Sequence, residues 1–198
     1  MELGRYLVEK GSLIADWAPA FAAVPRTDFL PEVMWPHDRE TGKATAVSRS
    51  DDPDAWYAYA GSNVPIVTQW DDGQHEGSEP GRAFTSSSSM PSLVFSMLAD
   101  LDVHSGHRVL EIGAGTGWNA ALLAHRVGAE NVVSVEVDPD VARSAREALC
   151  GAGYGAVEVV TGDGLRGYPP RAPYDRVTAT CGLRAGLFPW SRRPSRAG

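Results

Sequence analysis

The most regular pattern of apolar and polar positions lies in the second half of the chain, after Pro91. Residues 92–101 predict a helix, because apolar side chains recur along one stripe. Those side chains are Leu93, Val94, Met97, Leu98 and Leu101. Short apolar runs typical of buried strands lie at residues 107–113, 131–138, 156–164 and 174–182. Helical patterns separate the first three runs, so the sequence predicts an α/β fold with a mostly parallel sheet and crossover helices.

Local signals mark the ends of the two predicted crossover helices. The first, beginning at Trp118, is followed by Gly128, which suits a C-terminal cap. The second begins at Pro139, the favoured first helical position, and is preceded by Asp138 as the N-cap. These signals support the boundaries of both helices.

The first half of the chain is patterned less clearly. Apolar segments interrupted by Pro19 and Pro25 predict short helices within the first thirty residues. Between Pro36 and Gly81, residues typical of turns predict irregular structure with one or two brief strands. The sequence therefore predicts three regions. They are a helical and irregular extension (1–83), a ligand-binding core (84–182) and a tail (183–198) with the composition of a disordered segment.

Four consecutive serines, Ser86–Ser89, come just before the helix that begins near Pro91. Such a run is typical of a flexible linker between domains, and the alternative is a loop of hydroxyls over an active site. A linker would join two self-sufficient domains, yet nothing before Phe84 predicts a core of its own. The sequence favours the functional loop.

Composition excludes several classes of function. The 198 residues include 43% hydrophobic side chains, and the formal net charge is −7, so a nucleic-acid partner is not expected. The two cysteines, Cys150 and Cys181, have no metal-binding spacing, and we expect no metal. No apolar run approaches the roughly 20 residues that span a bilayer, and the N-terminus lacks a secretory signal. We expect a cytoplasmic protein without membrane contact; the sequence leaves the oligomeric state open.

The strongest chemical signal is the glycine-rich segment VLEIGAGTGWNAALLA, residues 109–124. Gly113, Gly115 and Gly117 connect a strand to a helix, which allows a sharp turn and close approach of a ligand. Glu136 ends the next strand, where a carboxylate binds both hydroxyls of a ribose. The GxGxG spacing differs from the GxGxxG of dinucleotide enzymes. Glu111, two residues before the first glycine, suits the ammonium and sulfonium groups of S-adenosylmethionine.

A third acidic side chain strengthens this interpretation. Asp163 follows the third strand and is placed to accept a hydrogen bond from an adenine amino group. The alternative is a plain strand–helix turn, but three carboxylates at successive strand ends favour a cofactor site. Trp118 either contacts the donor or packs on the sheet. The residues predicted to bind S-adenosyl-L-methionine are Glu111, Gly113, Gly115, Thr116, Gly117, Glu136, Val137, Gly162, Asp163 and Gly164.

With these motifs the chain resembles a class I methyltransferase, and more narrowly the protein-L-isoaspartate O-methyltransferase family. Two stretches outside the cofactor core carry the narrower resemblance. They are AFAAVPRTDFLPE (20–32) and the segment from YAYAGSNVPIV to FTSSSSMPSLVFSML. The family's loop reads roughly QTISxP, and its serine lies beside the methyl acceptor; the matching residue here is Ser89. Ser86, Ser87 and Ser88 stand where Gln, Thr and Ile are expected.

The resemblance implies a Rossmann-like class I methyltransferase sheet and methylation of an isoaspartyl or aspartyl carboxylate in a protein or peptide, as in protein repair. Ser89 and Ser88 are then the candidate catalytic residues that orient the acceptor. The altered serines leave open a different acceptor, such as a ribosomally made peptide converted to an aspartimide.

The resemblance also implies strands that the sequence does not provide. In the family, the fourth strand is followed by a helix, a turn and a terminal hairpin, and residues 180–198 show none of these patterns. We therefore expect a C-terminally truncated chain whose fourth strand lies at an edge of the sheet. A non-catalytic fragment remains a further alternative.

Overall fold

The computed structural model describes residues 2–38 and 41–182. Its helices are α1 (Glu2–Glu9), α2 (Ala18–Ala23), α3 (Pro53–Ala60), α4 (Pro91–Leu101), α5 (Trp118–Val127) and α6 (Pro139–Gly151). Its strands are β1 (Val33–Pro36), β2 (Val47–Ser48), β3 (Ile66–Trp70), β4 (Phe84–Ser88), β5 (Val109–Ile112), β6 (Val132–Glu136), β7 (Glu158–Thr161) and β8 (Arg176–Ala179). Short 3-10 turns connect several of them.

The second half of the chain forms the predicted parallel sheet. Its strand order is β7-β6-β5-β8, and all three neighbouring pairs are parallel. Strand β5 is fully buried, as expected for a central parallel strand covered on both faces. The chain continues from β5 to β6 on one side, whereas β8 lies on the other. This change of direction opens a crevice at the carboxyl ends of the strands, where ligands of open α/β sheets bind.

The crossover helices begin and end as predicted. The Asp138 side chain accepts hydrogen bonds from the backbone N–H groups of Asp140 and Val141, at 2.8 and 3.2 Å. Gly128 ends α5 with a φ of 97°, a conformation that a residue with a Cβ rarely adopts. Helix α6 is therefore capped at its start, near the crevice, and α5 at its end, away from the crevice.

The first half forms a second, antiparallel sheet of order β2-β1-β3-β4. The predicted brief strands between residues 36 and 81 are present as β2 and β3, but helix α3 was not predicted. Three of the four serines do not form a loop: Ser86–Ser88 belong to strand β4, which is paired with β3, and Ser89 follows the strand. Backbone hydrogen bonding to β3 holds this polar segment extended, because the ladder does not depend on the strand's own hydrophobicity.

The two sheets are joined by packed helices. One hydrophobic cluster contains Leu7 and Trp17 from the first helices together with Phe95 of α4 and Trp118 of α5. The division into an extension (1–83) and a core (84–182) stays a prediction, and the predicted tail (183–198) lies outside the described residues. No helix within the described ranges is long and apolar enough to cross a membrane.

Candidate functional site

A cavity of about 590 Å³ opens at the carboxyl ends of β5 and β6 and faces strand β4. This volume is within the range of small-molecule and cofactor sites. Val94 of α4 and five segments line it: most of the glycine loop and the start of α5 (112–116, 118–119), the end of β6 (135–137), the turn after β7 (163–165), the serine strand (84–89) and the segment after β8 (180–182).

The glycine loop is shaped by contacts that leave no space for side chains. Gly113 has a φ of 92°, and a Cβ there would lie 3.0 Å from the Cβ of Cys181. Gly117 has a φ of 86°, and a Cβ would lie 3.3 Å from the backbone oxygen of Ala145 in α6. The predicted need for glycine therefore has two causes, the left-handed backbone and the close packing of neighbouring segments.

Glu136 lies at the edge of the cavity and is held by backbone donors. One carboxylate oxygen accepts from Gly115 N–H at 3.0 Å, and the other accepts from Val137 and Asp138 N–H at 2.8 and 3.2 Å. A carboxylate offers about four acceptor positions, so capacity remains for a ligand hydroxyl. Val137 is 73% exposed at the rim and offers an apolar surface beside this carboxylate.

Asp163 and Gly164 form the adjacent rim, at the end of the neighbouring strand β7. The Asp163 carboxylate accepts from Leu165 N–H at 2.9 Å, which fixes the turn after β7. Gly164 lies directly on the end of β5: a Cβ there would stand 2.2 Å from the Cγ2 atom of Ile112. Gly162 does not line the cavity, but its N–H donates to the Glu136 carbonyl at 2.8 Å and so connects the two rims.

Glu111 lies beneath the cavity and does not line it. It is fully buried and accepts hydrogen bonds from the Asn119 amide, at 2.6 Å, and from the Ser134 hydroxyl. Burial raises its pKa to about 7; the two hydrogen bonds oppose this shift and the nearby Glu136 charge adds to it. Asn119 does line the cavity, so it links Glu111 to the site. Direct donor binding by Glu111 stays a prediction.

The serine strand forms the wall that faces the glycine loop. Ser86–Ser89 all line the cavity, and Ser88 is only 3% exposed. A Cβ on Gly115 would lie 3.5 Å from the backbone oxygen of Ser87, so the two walls approach within one van der Waals contact. The geometry brings a hydroxyl-bearing wall and a carboxylate-bearing wall together around one cavity.

Of the predicted site residues, nine line this cavity: Ser88, Ser89, Gly113, Gly115, Thr116, Glu136, Val137, Asp163 and Gly164. The other three, Glu111, Gly117 and Gly162, lie behind it. Trp118 lines the cavity and also packs against Phe95 of α4 in the core, and its contact with the donor stays a prediction.

Sequence reasoning did not single out Asn119 or Arg26. Arg26 is buried and donates to the Ser88 hydroxyl oxygen at 2.9 Å. The signal that could have found it is its place in the VPR motif of the N-terminal segment.

Comparison with known proteins gives the family. The sequence profile of Protein-L-isoaspartate(D-aspartate) O-methyltransferase (PCMT) matches residues 55–185. The chain belongs to the PCMT family. This membership agrees with the predicted class I methyltransferase fold.

Curated PCMT relatives include the protein-L-isoaspartate O-methyltransferases of Methanoculleus marisnigri and Methanopyrus kandleri. The first is 53% identical over 92 residues, which cover 46% of this chain and 41% of the relative. The second is 38% identical over 167 residues, which cover 83% of this chain and 58% of the relative. The chain thus spans about half the length of these relatives.

Solved structures give the same picture. A protein-L-isoaspartate O-methyltransferase superposes with a TM-score of 0.69 at 30% identity, over 92% of this chain and 48% of that one. A PCMT protein from Plasmodium falciparum, in complex with S-adenosyl-L-homocysteine, superposes with a TM-score of 0.62 at 13% identity, over 90% of this chain and 71% of that one. At that identity the second match shows the fold alone.

Proposed function

We propose that this chain binds S-adenosyl-L-methionine and methylates the carboxylate of isoaspartyl or aspartyl residues in proteins or peptides. One observation carries the proposal: a serine-bearing strand and a glycine loop flanked by strand-end carboxylates face each other across a single cavity. Membership of the PCMT family supports the same reaction.

The residues of the glycine-loop wall fit an adenosyl donor. Glu136 has remaining acceptor capacity for a ribose hydroxyl, Asp163 lies at the next strand end, and Val137 and Leu165 supply apolar surface at the rim. The backbone of Gly113 and Gly115 permits close approach. When bound, S-adenosylmethionine would supply an electrophilic methyl group.

The acceptor side needs little acid–base chemistry. A carboxylate is already ionised at neutral pH, so the protein's task is to hold it in line with the methyl group and to exclude water. We assign orientation of this carboxylate to Ser88, the last residue of β4, and to Ser89, which follows it. The product is a methyl ester, whose carbonyl is open to attack by the following backbone nitrogen; methanol leaves and a succinimide forms, which then opens to Asp or isoAsp.

The altered serine run favours a second acceptor within the same reaction class. Ser86–Ser88 replace the Gln, Thr and Ile expected from the family loop, so the wall is more polar than in that pattern. An aspartyl side chain in a ribosomally made peptide is the alternative acceptor.

Two measurements on the full chain test the proposal. Calorimetry with S-adenosylhomocysteine measures donor-site binding, and transfer of a labelled methyl group is measured on an isoaspartyl peptide. Peptides with Asp or Asn at the same position serve as comparisons. Labelling of the isoaspartyl or Asp peptide alone supports the reaction and identifies the acceptor. Binding without transfer to either acid would indicate a non-catalytic fragment and would contradict the proposal.

Ser89→Ala tests the acceptor assignment. We expect turnover to fall by about 10- to 100-fold, because the acceptor carboxylate loses an orienting hydroxyl, while affinity for S-adenosylhomocysteine stays within about twofold. Ser105→Ala, in the exposed turn before β5, is the matched control and should change neither quantity. Equal loss of turnover and of donor affinity in the Ser89 variant would refute the assignment.

A further inference from the structure

Arg26 is a buried cation whose hydrogen bonds converge on the serine strand. Its side chain is 5% exposed. The Nε–H donates to the Ser88 hydroxyl oxygen at 2.9 Å, and one Nη2 group donates to the backbone oxygens of Ser88 and Ser89 at 2.8 and 3.1 Å. The same nitrogen reaches the Val64 oxygen at 3.1 Å. One planar guanidinium therefore fixes both the side chain and the backbone of Ser88.

These partners are all neutral. No carboxylate in the described residues lies within ion-pair distance of Arg26. Burial lowers its pKa to about 9, so the group remains charged at neutral pH. A buried charge without a counter-ion is costly, and an anionic ligand bound nearby would offset that cost.

The hydrogen bond from Arg26 also determines what the Ser88 hydroxyl can do. The arginine N–H occupies one of the two lone pairs of the oxygen, so the hydroxyl keeps its own hydrogen for donation to a further acceptor. No acceptor for that hydrogen is found among the described residues. Ser88 lines the cavity, and a carboxylate is an acceptor-only group.

Arg26 is connected to the glycine-loop wall as well. Its guanidinium carbon lies 5.5 Å from the centre of the Trp118 ring, in cation–π geometry. The Trp118 indole N–H donates to the Val24 oxygen at 3.1 Å, two residues before Arg26. Segment 24–26 thus contacts the first residue of α5 and the end of β4, which belong to opposite walls.

Resting on the proposed function, we propose that Arg26 is a positioning residue for the methyl acceptor. It fixes Ser88 and Ser89 on the serine strand and directs the Ser88 hydroxyl to donate to the acceptor carboxylate. Arg26 acts through Ser88 and does not itself bind the reacting atoms. The covalent step is unchanged: an acceptor carboxylate oxygen forms a bond to the methyl carbon, and the bond between that carbon and the donor sulfur breaks.

The test compares four variants of the full chain: Arg26→Gln, Arg26→Lys, Ser88→Ala, and the double variant that combines Arg26→Gln with Ser88→Ala. Arg49→Gln is the matched control, because Arg49 also lies over a tryptophan, Trp56, at 5.3 Å but has no contact with β4. The readouts are acceptor kcat and KM with the isoaspartyl peptide, affinity for S-adenosylhomocysteine, and amide hydrogen exchange of residues 85–90.

We expect Arg26→Gln to lower acceptor kcat/KM by about 10- to 100-fold, with donor affinity within about twofold and faster exchange of residues 85–90. Adding Ser88→Ala to Arg26→Gln should lower acceptor kcat/KM by less than about a further twofold, because the two side chains act as one unit. Arg26→Lys keeps a charge but lacks the planar fork, so it should not restore activity. Full activity of the lysine variant, or additive effects in the double variant, would overturn the proposal.

The exchange measurement separates this inference from the proposed function. If wild-type protein methylates no carboxylate peptide, the proposed function fails, and exchange alone decides whether Arg26 holds the strand. Exchange of residues 85–90 that is unchanged relative to Arg49→Gln would overturn the positioning role. If a thermal melt shows that Arg26→Gln is unfolded, Ser88→Ala with Arg26 intact carries the test: retained acceptor kcat/KM would refute it.

Discussion

Replacing Glu111 by glutamine should make the protein more stable at alkaline pH. The carboxyl group is fully buried below the cavity, where burial favours its neutral form. Glutamine has the same shape and never ionises. Its oxygen can keep the hydrogen bond from Asn119, and its amide can donate to the Ser134 oxygen once that hydroxyl rotates.

The sign and size follow from the pKa of Glu111. It rises from 4.5 to about 7 in the folded protein, so the folded state binds this proton more tightly than the unfolded state. Its contribution is present below pH 4.5 and is lost as the pH rises through 7. The complete loss is on the order of 3 kcal/mol, and about 2.5 kcal/mol of it falls between about pH 5 and about pH 8.

Urea unfolding followed by tryptophan fluorescence measures this difference, since the chain has six tryptophans. The free energy of unfolding of Glu111→Gln minus that of wild type should increase by about 2.5 kcal/mol from about pH 5 to about pH 8. Glu147→Gln, on the exposed face of α6, is the control and should stay within about 0.5 kcal/mol of wild type at both pH values. A Glu111→Gln difference that does not change with pH would refute the reasoning.

Two further substitutions test the packing and capping around the site. Gly164→Ala should destabilise the fold by about 1–3 kcal/mol, because the new Cβ would overlap Ile112. Gly162→Ala is the control, since its Cβ would meet nothing within 4 Å and should destabilise the fold less. Equal melting temperatures for the two variants would contradict this prediction. Asp138→Ala removes the N-cap of α6 and should lower the free energy of unfolding by about 0.5–2 kcal/mol. Asp138→Asn keeps an accepting oxygen, so urea titrations should give it a higher free energy of unfolding than the alanine variant.

The parallel sheet and its helices could be predicted because their signals are local and repeated. The runs that became β5 to β8 are short and apolar, and Asp138 with Pro139 marks the start of α6. The same signal occurs at Asp52 and Pro53, where the Asp52 side chain caps α3. This helix was missed because its apolar residues lie on several faces and so show no clear helical stripe.

Strand β4 could not be predicted from its own residues. Serines have low strand propensity, and what holds Ser86–Ser88 extended is pairing with β3 and the hydrogen bonds from Arg26. Both depend on segments at least 16 residues away in the chain. The depth of Glu111 was also beyond reach, since a position two residues before the glycine loop does not reveal whether the side chain lies in the cavity or beneath it.

The close approach of Gly115 to the Ser87 carbonyl bears on which substitutions could change the proposed acceptor. The two walls are spaced there by peptide groups and not by side chains. Substitutions at Ser86 and Ser87 change the side chains of one wall but not the peptide groups that set this spacing. The separation of the walls can thus be kept while the side chains change, which makes Ser86 and Ser87 the positions at which to redirect the proposed reaction towards another carboxylate.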